Sequence, residues 1–561
     1  MNGRFEPKWK HLGGLGLILL VSGWFSIAPL TFFTVDSAVR FVQIKALVTQ
    51  NWQTLAVPYP LQAIDPNWEH TPYYYAYSII ENRLYLNISP FFPLVASYLF
   101  AGLGRLGLVI LLVVGGVLIG WAARAWGELN QWPHPFPEVS LWLTVFGTPV
   151  VFYTLELWDH VWGVVFVVWS VYFIGRAGKN GRFRDAFLGG GMLGLGMGQR
   201  PELYLFAVAM GLVWLVMNWR CKKLLFAPVL GGITSLLPIW LVQWCWVGHP
   251  LGMAVAPHLF DYGRPDSYPV SSYEGITLTR AIKVGRLIAH IQGRDLFTFA
   301  AFLLVIVGVA GLVLGWRVPR WRQPRLFYVA LGVLLVGYGL WLVVGWQTPL
   351  DGLLTTFPPI VFVLMQTPKR GEKNGRFHPN DFLLATTLLF IGLMLAVWPA
   401  FGGTQWGARY LLAAYPLLVW LAIHNFLAIC TQPAWQQIAR HLFIALFATS
   451  LLIQLIGVRL LFKTHIGQIP TVQAIDALPA EVLITNHPFL PVFMSRVDDK
   501  MWLYVNNEAE LADLVPKLTS QQITEIAVVP LEGSSLRLPP QIDNVFIEPQ
   551  GEILYRLIPK E

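Results

Sequence analysis

The stretch Thr34-Val35-Asp36-Ser37-Ala38-Val39-Arg40 closes the first long apolar run of the chain. The residues from 13 to 33 are almost all apolar, so Asp36 falls where a membrane helix gives way to water. A carboxylate that is held there on a rigid element and partly desolvated suits a general base. The same position also suits a carboxylate that is solvated at the lipid surface, and position alone does not separate the two.

The composition is that of a polytopic membrane protein. Of the 561 residues, 55% are hydrophobic and only 12% are charged, which is too few to cover a soluble protein of this size. Apolar runs of about 17 to 22 residues recur along the chain, as membrane-spanning helices require. The formal charge of +8 comes from basic residues in short loops between these runs, a topology signal rather than a nucleic-acid surface.

The distribution of basic residues predicts the topology. Arg4, Lys8 and Lys10 place the N-terminus in the cytoplasm, ahead of an apolar run that we interpret as an uncleaved anchor. Counting alternate basic loops gives about thirteen transmembrane helices and a C-terminus outside the cytoplasm. The predicted fold is therefore mostly α, a polytopic helical membrane protein.

Two domains are predicted, a transmembrane catalytic domain over residues 1–461 and a small extracytoplasmic α/β domain over residues 462–561. In the second domain the residues 482–485, 501–505 and 526–529 have the composition of strands, and residues 508–518 form an amphipathic pattern.

The first outer loop, residues 34–104, is predicted to carry helices that lie in the membrane interface. One apolar face with a period of 3.6 residues is formed by Phe41, Ile44, Val48, Trp52 and Leu55. A second short helix is predicted between Ser89-Pro90 and Gly104.

Three groups of polar residues follow apolar runs and are candidates for chemistry, because such residues are costly near a membrane. They are Trp158-Asp159-His160, Arg200-Pro201-Glu202 and Trp406-Gly407-Ala408-Arg409-Tyr410. Arg200 and Arg409 offer planar donors suited to phosphate, and Glu202 is a candidate to orient Arg200. The alternatives are an aromatic belt at Trp158, a structural ion pair at Arg200 and an arginine at Arg409 that reaches the lipid interface.

Two further regions have simpler interpretations. The glycines between Gly189 and Gly198 lack the ending of a phosphate-binding loop and indicate close helix packing. The long loop 248–296 contains His258, Asp261, Tyr262, Arg264 and Asp266, which are either substrate contacts or solvated loop residues.

Taken together, these features resemble the GT-C superfamily of polytopic glycosyltransferases, in particular bacterial members similar to protein mannosyltransferases and aminoarabinose transferases. The resemblance rests on Asp36 after the first helix, the long first outer loop and the three polar groups, and it covers residues 10–460. The chain departs from the family pattern at two places. It has Asp36-Ser37 where Asp-Glu is common, and Asp159-His160 where Glu-His is common.

The resemblance implies a polyprenyl-phosphate-linked sugar as donor and a glycan, lipid or protein as acceptor, on the extracytoplasmic face of the inner (plasma) membrane. It implies catalytic roles for Asp36, Asp159 and His160, and phosphate binding by Arg200, Glu202 and Arg409. Trp158, Trp406 and His258 are expected in the substrate loops. A divalent cation, Mg²⁺ or Mn²⁺, is a candidate cofactor with Asp36, Asp159 and His160 as its candidate ligands.

Two other functional classes remain open from the sequence. One is a transporter or flippase of lipid-linked substrates, although no inverted repeat and no ion-coupling charges in mid-membrane are evident. The other is a non-catalytic membrane scaffold. Substitution of Asp36 distinguishes an enzyme from a scaffold, because a scaffold would tolerate the substitution.

Overall fold

A computed structural model describes residues 9–560 except 28, 74–76, 264–279, 291–295, 366–377, 399–404, 498–499 and 535. Its contacts divide the chain into two compact units. The first unit comprises Met1–Ala28, Leu106–Val242 and Leu278–Lys463, and the second comprises Pro29–Arg105, Gln243–Thr277 and Thr464–Glu561. The predicted boundary at residue 461 lies close to the last of these divisions, but the first outer loop groups with the C-terminal residues.

The described part of the chain is mostly helical, as predicted. The helices before residue 250 are α1 (Trp9–Ile27), α2 (Val35–Thr49), α3 (Phe91–Leu103), α4 (Arg105–Leu129), α5 (Phe136–Phe146), α6 (Val150–Thr154), α7 (His160–Asn180), α8 (Phe183–Gln199), α9 (Leu203–Asn218) and α10 (Lys222–Val247). The later ones are α11 (Ala256–Phe260), α12 (Arg280–Ile288), α13 (Leu296–Arg317), α14 (Pro324–Gly345), α15 (Leu353–Thr356), α16 (Ile360–Leu364), α17 (Pro379–Val397), α18 (Ala414–Cys430), α19 (Pro433–Asp476), α20 (Leu490–Phe493) and α21 (Glu508–Ser520).

Eight of the described helices are long and apolar enough to cross a membrane: α1, α4, α7, α10, α13, α14, α17 and α19. Shorter apolar helices, among them α5, α9 and α18, occupy other predicted spans. The protein is therefore a multi-pass helical membrane protein. The number thirteen stays a prediction, because several predicted spans are shorter than the bilayer requires or are broken.

Two predicted spans are each split into short helices at proline. The third consists of α5 and α6, which are separated at Pro149, and the tenth of α15 and α16, which are separated at Pro358-Pro359. Proline lacks the N–H that continues a helix and clashes with the preceding turn. The first break has a functional consequence, since α6 ends at Thr154 and the chain then runs irregularly into the Trp158-Asp159-His160 group.

The second unit is built around a six-stranded sheet. Its strands are β3 (Val482–Thr485), β4 (Met501–Tyr504), β5 (Glu525–Val528), β6 (Gln541–Ile542), β7 (Val545–Pro549) and β8 (Leu554–Pro559), in the order β4-β3-β5-β8-β7-β6. The three predicted strands β3, β4 and β5 are parallel, with Val482 opposite Met501 and Ile526. The predicted amphipathic helix is α21, which buries Leu511, Leu514 and Leu518 against the sheet.

The first outer loop contributes to the same core. Leu61 and Ile64 pack with the buried residues of the sheet and of α21. A separate two-stranded ribbon, β1 (Tyr77–Ile80) and β2 (Arg83–Leu86), pairs antiparallel with Tyr77 opposite Leu86. The loop is therefore part of the α/β unit, a grouping that the sequence did not indicate.

The prediction for the first part of this loop is only partly correct. Helix α2 includes Phe41, Ile44 and Val48, but it ends at Thr49, and Asn51 and Trp52 have positive φ angles of 49° and 57°. Its polar side is buried at Gln43, which donates a hydrogen bond to the Leu55 carbonyl at 3.0 Å, whereas Thr49 on the same side is exposed. Contacts within the α/β unit therefore cover part of the polar side of α2, which periodicity alone could not indicate. The predicted second helix is α3, which ends before Gly104 at φ 58°.

The glycine-rich eighth helix packs closely on α10, as the sequence predicts. A Cβ added to Gly190 would lie 1.9 Å from the Pro228 carbonyl oxygen, and one added to Gly231 would lie 1.9 Å from that of Phe187. Backbone contacts of this kind are possible only for glycine.

We expect Gly190→Ala to destabilise the first unit by about 1–3 kcal/mol, because the added methyl group meets backbone that cannot move aside. Gly211, which is helical with nothing within 4 Å of an added Cβ, provides the control, and Gly211→Ala should leave the stability equal or slightly higher. Thermal unfolding of both variants in detergent is the measurement. Equal melting temperatures would show that α8 and α10 are not packed this closely.

Candidate active site

The Trp158-Asp159-His160 group lies between α6 and α7 in the first unit and is buried. Asp159 precedes the first residue of α7, but its side chain makes no capping hydrogen bond there. Its Oδ1 atom instead accepts a hydrogen bond from Arg200 Nη1 at 3.2 Å. His160 Nδ1 lies 3.3 Å from the same oxygen. Asp159 is therefore directed toward other charged residues rather than toward its own helix.

Arg200 lies in the short connection between α8 and α9. Its backbone is extended because the next residue is proline, which disfavours helical geometry at the preceding position. Its Nε atom donates to Glu202 Oε1 at 2.9 Å, in addition to the contact with Asp159. All three side chains are buried, so one guanidinium offsets two carboxylates in an environment where each unpaired charge would be costly.

Arg409 has different surroundings. Its guanidinium carbon lies 5.0 Å from the centre of the Trp158 ring and 4.8 Å from that of Tyr410, and Nη2 donates to the Tyr410 hydroxyl at 3.0 Å. Cation–π contacts position a guanidinium over aromatic faces while its N–H groups point along its edges. The sequence predicts that both Arg200 and Arg409 bind phosphate. In the structure Arg200 is paired with two carboxylates, whereas Arg409 lies against two aromatic rings.

Backbone contacts fix the loop that carries Arg409. Gly407 has a φ of 69°, and its N–H donates to the Leu350 carbonyl at 2.7 Å. The Tyr415 hydroxyl accepts from the Ala408 N–H at 3.0 Å and lies 2.7 Å from Thr356 Oγ1. The loop before Arg409 is thereby joined to the segment 350–356 of the same unit.

That segment carries a further buried acidic residue. Asp351 accepts a hydrogen bond from Arg286 Nη2 at 2.7 Å, and its N–H donates to His290 Nδ1 at 3.1 Å. Burial, with a smaller contribution from Arg286, lowers the pKa of His290 to about 4, so its imidazole is neutral near pH 7 and accepts this bond. The sequence gave no signal for these contacts of Asp351, or for Arg286, His290 and Tyr415.

Aromatic rings complete the group around His160. The Tyr153 ring stacks on the imidazole at 5.3 Å between centroids, and the Trp158 ring meets it edge-on at 4.5 Å. The Tyr153 hydroxyl donates to the Trp406 carbonyl at 3.1 Å. The indole of Trp406 is buried and donates to Gln454 Oε1 at 3.0 Å, which gives this predicted substrate-loop residue a packing role.

Asp36 and His258 belong to the second unit. Asp36 lies in the first turn of α2, where Thr34 is the N-cap and its side chain accepts from the Ser37 N–H at 3.3 Å. A carboxylate is stabilised there by the partial positive charge of the helix N-terminus. Asp36 is therefore fixed on a helix, although on α2 rather than at the end of α1. His258 is exposed on α11, and Arg264 and Asp266 lie outside the described residues.

Residues of α19 and of the loop after α20 form hydrogen bonds with residues 31–45, the first segment of the second unit along the chain. Gln468 makes two hydrogen bonds with the backbone of Phe32, at 3.0 Å to its N–H and 2.7 Å to its carbonyl. Thr31 Oγ1 lies 3.0 Å from His465 Nδ1, and Lys45 on α2 donates to the Ser495 carbonyl at 2.6 Å. The position of α2 within this unit is thus set by residues more than 400 positions away.

The predicted metal ligands do not fit a metal in the charged group of the first unit. Among the described residues no group of three or more His, Cys, Asp or Glu side chains is arranged to hold an ion. Asp159 Oδ1 already accepts from Arg200, whose positive charge would repel a divalent cation at that oxygen. The divalent cation stays a prediction, and no chemical step below passes through it.

The described residues form a polytopic helical membrane protein with a buried ion group in its first unit. The sequence matches no protein-family model and no curated protein. Its fold is similar to the crystal structure of ArnT from Cupriavidus metallidurans bound to undecaprenyl phosphate, with a TM-score of 0.51, 11% identity and 98% of each chain covered. The structure of the same ArnT in the apo state aligns with a TM-score of 0.48 and 10% identity over 97% of this chain and 96% of that one. The first likeness confirms the predicted fold.

We expect Arg200→Ala to destabilise the protein by about 3–5 kcal/mol, because Asp159 and Glu202 would remain buried without their shared cation. The matched variant replaces all three charges, as Arg200→Met with Asp159→Asn and Glu202→Gln, and should recover most of the loss. Thermal unfolding of the two variants is the measurement. A melting temperature for Arg200→Ala equal to that of the wild type would show that the three side chains do not form one buried ion group.

Proposed function

We propose that this protein is an integral-membrane glycosyltransferase that moves a sugar from a polyprenyl-phosphate donor to an extracytoplasmic acceptor with inversion at the anomeric carbon. The observation that carries the proposal is a GT-C-type fold over the whole chain with buried charges in its first unit. The structurally similar ArnT was crystallised with undecaprenyl phosphate, which supports a lipid phosphate as the carrier. The protein is proposed to act at the outer face of the plasma membrane.

The proposed reaction is a single displacement. Asp36 accepts the proton of the acceptor hydroxyl as its oxygen bonds to the anomeric carbon, and the bond from that carbon to the phosphate oxygen breaks. The polyprenyl phosphate leaves with the bonding electron pair. The transition state has oxocarbenium character, as in other inverting reactions at anomeric carbon.

Arg409 is the proposed ligand of the departing phosphate. Preorganised positive charge stabilises the charge that develops on a leaving group, and a guanidinium presents the paired donors that phosphate oxygens prefer. Its contacts with Trp158 and Tyr410 hold it in one orientation before the substrate binds. Arg200, which is bound to Asp159 and Glu202, is assigned instead to holding these carboxylates in place.

We expect Arg409→Ala to weaken the binding of undecaprenyl phosphate by about 10- to 100-fold, as loss of a charge-assisted contact predicts. Arg409→Lys should restore only part of the affinity, because an ammonium lacks the bidentate geometry. Arg440 is exposed in the same unit, and Arg440→Ala is the control. Binding is measured on the full-length protein in nanodiscs, and an unchanged affinity for Arg409→Ala would reject this role.

The test of the base is Asp36→Asn, which keeps the shape of the side chain and removes its basicity. Turnover should fall by about 10²- to 10⁴-fold while lipid binding and the melting temperature stay near those of the wild type. Asp513→Asn, at an exposed site on α21, is the matched control. Transfer is measured by mass spectrometry of envelope glycans in cells that carry each variant. Wild-type glycans with Asp36→Asn would exclude Asp36 as the base.

A further inference from the structure

Besides His160 Nδ1, which lies 3.3 Å from Asp159 Oδ1, three polar atoms of the buried charged group in the first unit have no hydrogen-bond partner in the described part of the protein. They are Oε2 of Glu202, Nε2 of His160 and Nε1 of Trp158. All three side chains are at least nine-tenths buried, at 5%, 3% and 0% exposure. Buried polar atoms are nearly always hydrogen-bonded in folded proteins, so such atoms mark places where another molecule supplies the partner.

The three atoms belong to residues that are linked by a continuous series of side-chain contacts. Glu202 is bound to Arg200, Arg200 to Asp159, and Asp159 lies against His160. The His160 ring in turn meets the Trp158 ring at 4.5 Å between centroids. Buried polar atoms without a partner also occur elsewhere in the described part of the protein, but these three belong to one connected group of side chains.

The chemistry of the group selects the ligand class. A carboxylate oxygen accepts, an indole N–H donates, and an imidazole nitrogen does either, which together match the hydroxyl groups of a sugar. Aromatic rings with a few fixed polar groups are typical of small-molecule sites.

We propose that Glu202, His160 and Trp158 bind hydroxyl groups of the donor sugar, while Arg409 binds the lipid phosphate. This inference rests on the proposed function, and it adds the part of the donor that the group recognises. Arg200 is a positioning residue in this arrangement, since it fixes the orientation of the Glu202 carboxylate through Oε1 and leaves Oε2 for the ligand.

The test compares two probes on the full-length protein in nanodiscs. One is undecaprenyl phosphate, and the other is a panel of undecaprenyl-phosphate hexoses that carry glucose, mannose or galactose. Glu202→Gln keeps the acceptor for Arg200 and replaces Oε2 with a donor group. It should weaken the best-bound hexose lipid by about 10- to 100-fold and leave undecaprenyl phosphate unchanged.

Two further variants complete the design. Trp158→Phe removes the indole N–H together with part of the ring and keeps a smaller aromatic face for Arg409. It should weaken the hexose lipid by about 3- to 10-fold if the N–H donates to the sugar, and leave undecaprenyl phosphate unchanged. Glu128→Gln, a change at a Glu that is 46% exposed, is the matched control and should change neither affinity.

The outcomes separate this inference from the proposed function. If undecaprenyl phosphate does not bind the wild-type protein at all, the proposed function fails. If it binds but no hexose lipid binds more tightly, or if Glu202→Gln changes both affinities equally, the sugar site is overturned. If Glu202→Gln changes neither affinity yet lowers turnover, these atoms meet water or the acceptor, and the assignment to the donor sugar is wrong.

Discussion

The charged group in the first unit depends on one guanidinium that serves two buried carboxylates. Removing Asp159, Glu202 or Arg200 from water costs several kcal/mol for each ion in real proteins, and their mutual attraction offsets this only with good hydrogen-bond geometry. The 2.9 Å and 3.2 Å contacts of Arg200 supply that geometry. Asp159 and Glu202 directly precede α7 and α9, and Arg200 directly follows α8, so the ion group connects the termini of three apolar helices.

The two arginines of this unit are held by different forces, and this difference organises the proposed site. Arg200 is neutralised by carboxylates, which makes it a structural cation. Arg409 is held by ring faces, which attract a cation without cancelling its charge. A site that binds an anionic phosphate beside buried carboxylates needs two cations, one that neutralises the carboxylates and another whose charge stays available to the phosphate.

The second unit joins parts of the chain that are far apart in sequence. Leu61 and Ile64 of the first outer loop share a core with the C-terminal sheet, and Gln468 holds the backbone of Phe32 through two hydrogen bonds. The C-terminal α/β region is therefore not a separate appendage to the outer loop. It supplies the packing that holds α2, the helix on which Asp36 lies, so a role in placing the proposed base follows from its contacts within this unit.

The sequence by itself determined the class of protein and most of its elements. Long apolar runs must become helices in a membrane because backbone groups have no other partners there, and the short runs 482–485, 501–505 and 526–529 have the composition of strands. The polar groups at Asp159, Arg200 and Arg409 were also evident, since charges are rare beside apolar runs. Only the tertiary structure decided what each of them does. The sharing of Arg200 by two carboxylates, the seating of Arg409 between Trp158 and Tyr410, and the burial of Gln43 all depend on residues distant in sequence. Local periodicity carries no information about such contacts, because the partner that satisfies a buried polar atom is selected by packing rather than by its neighbours in the chain.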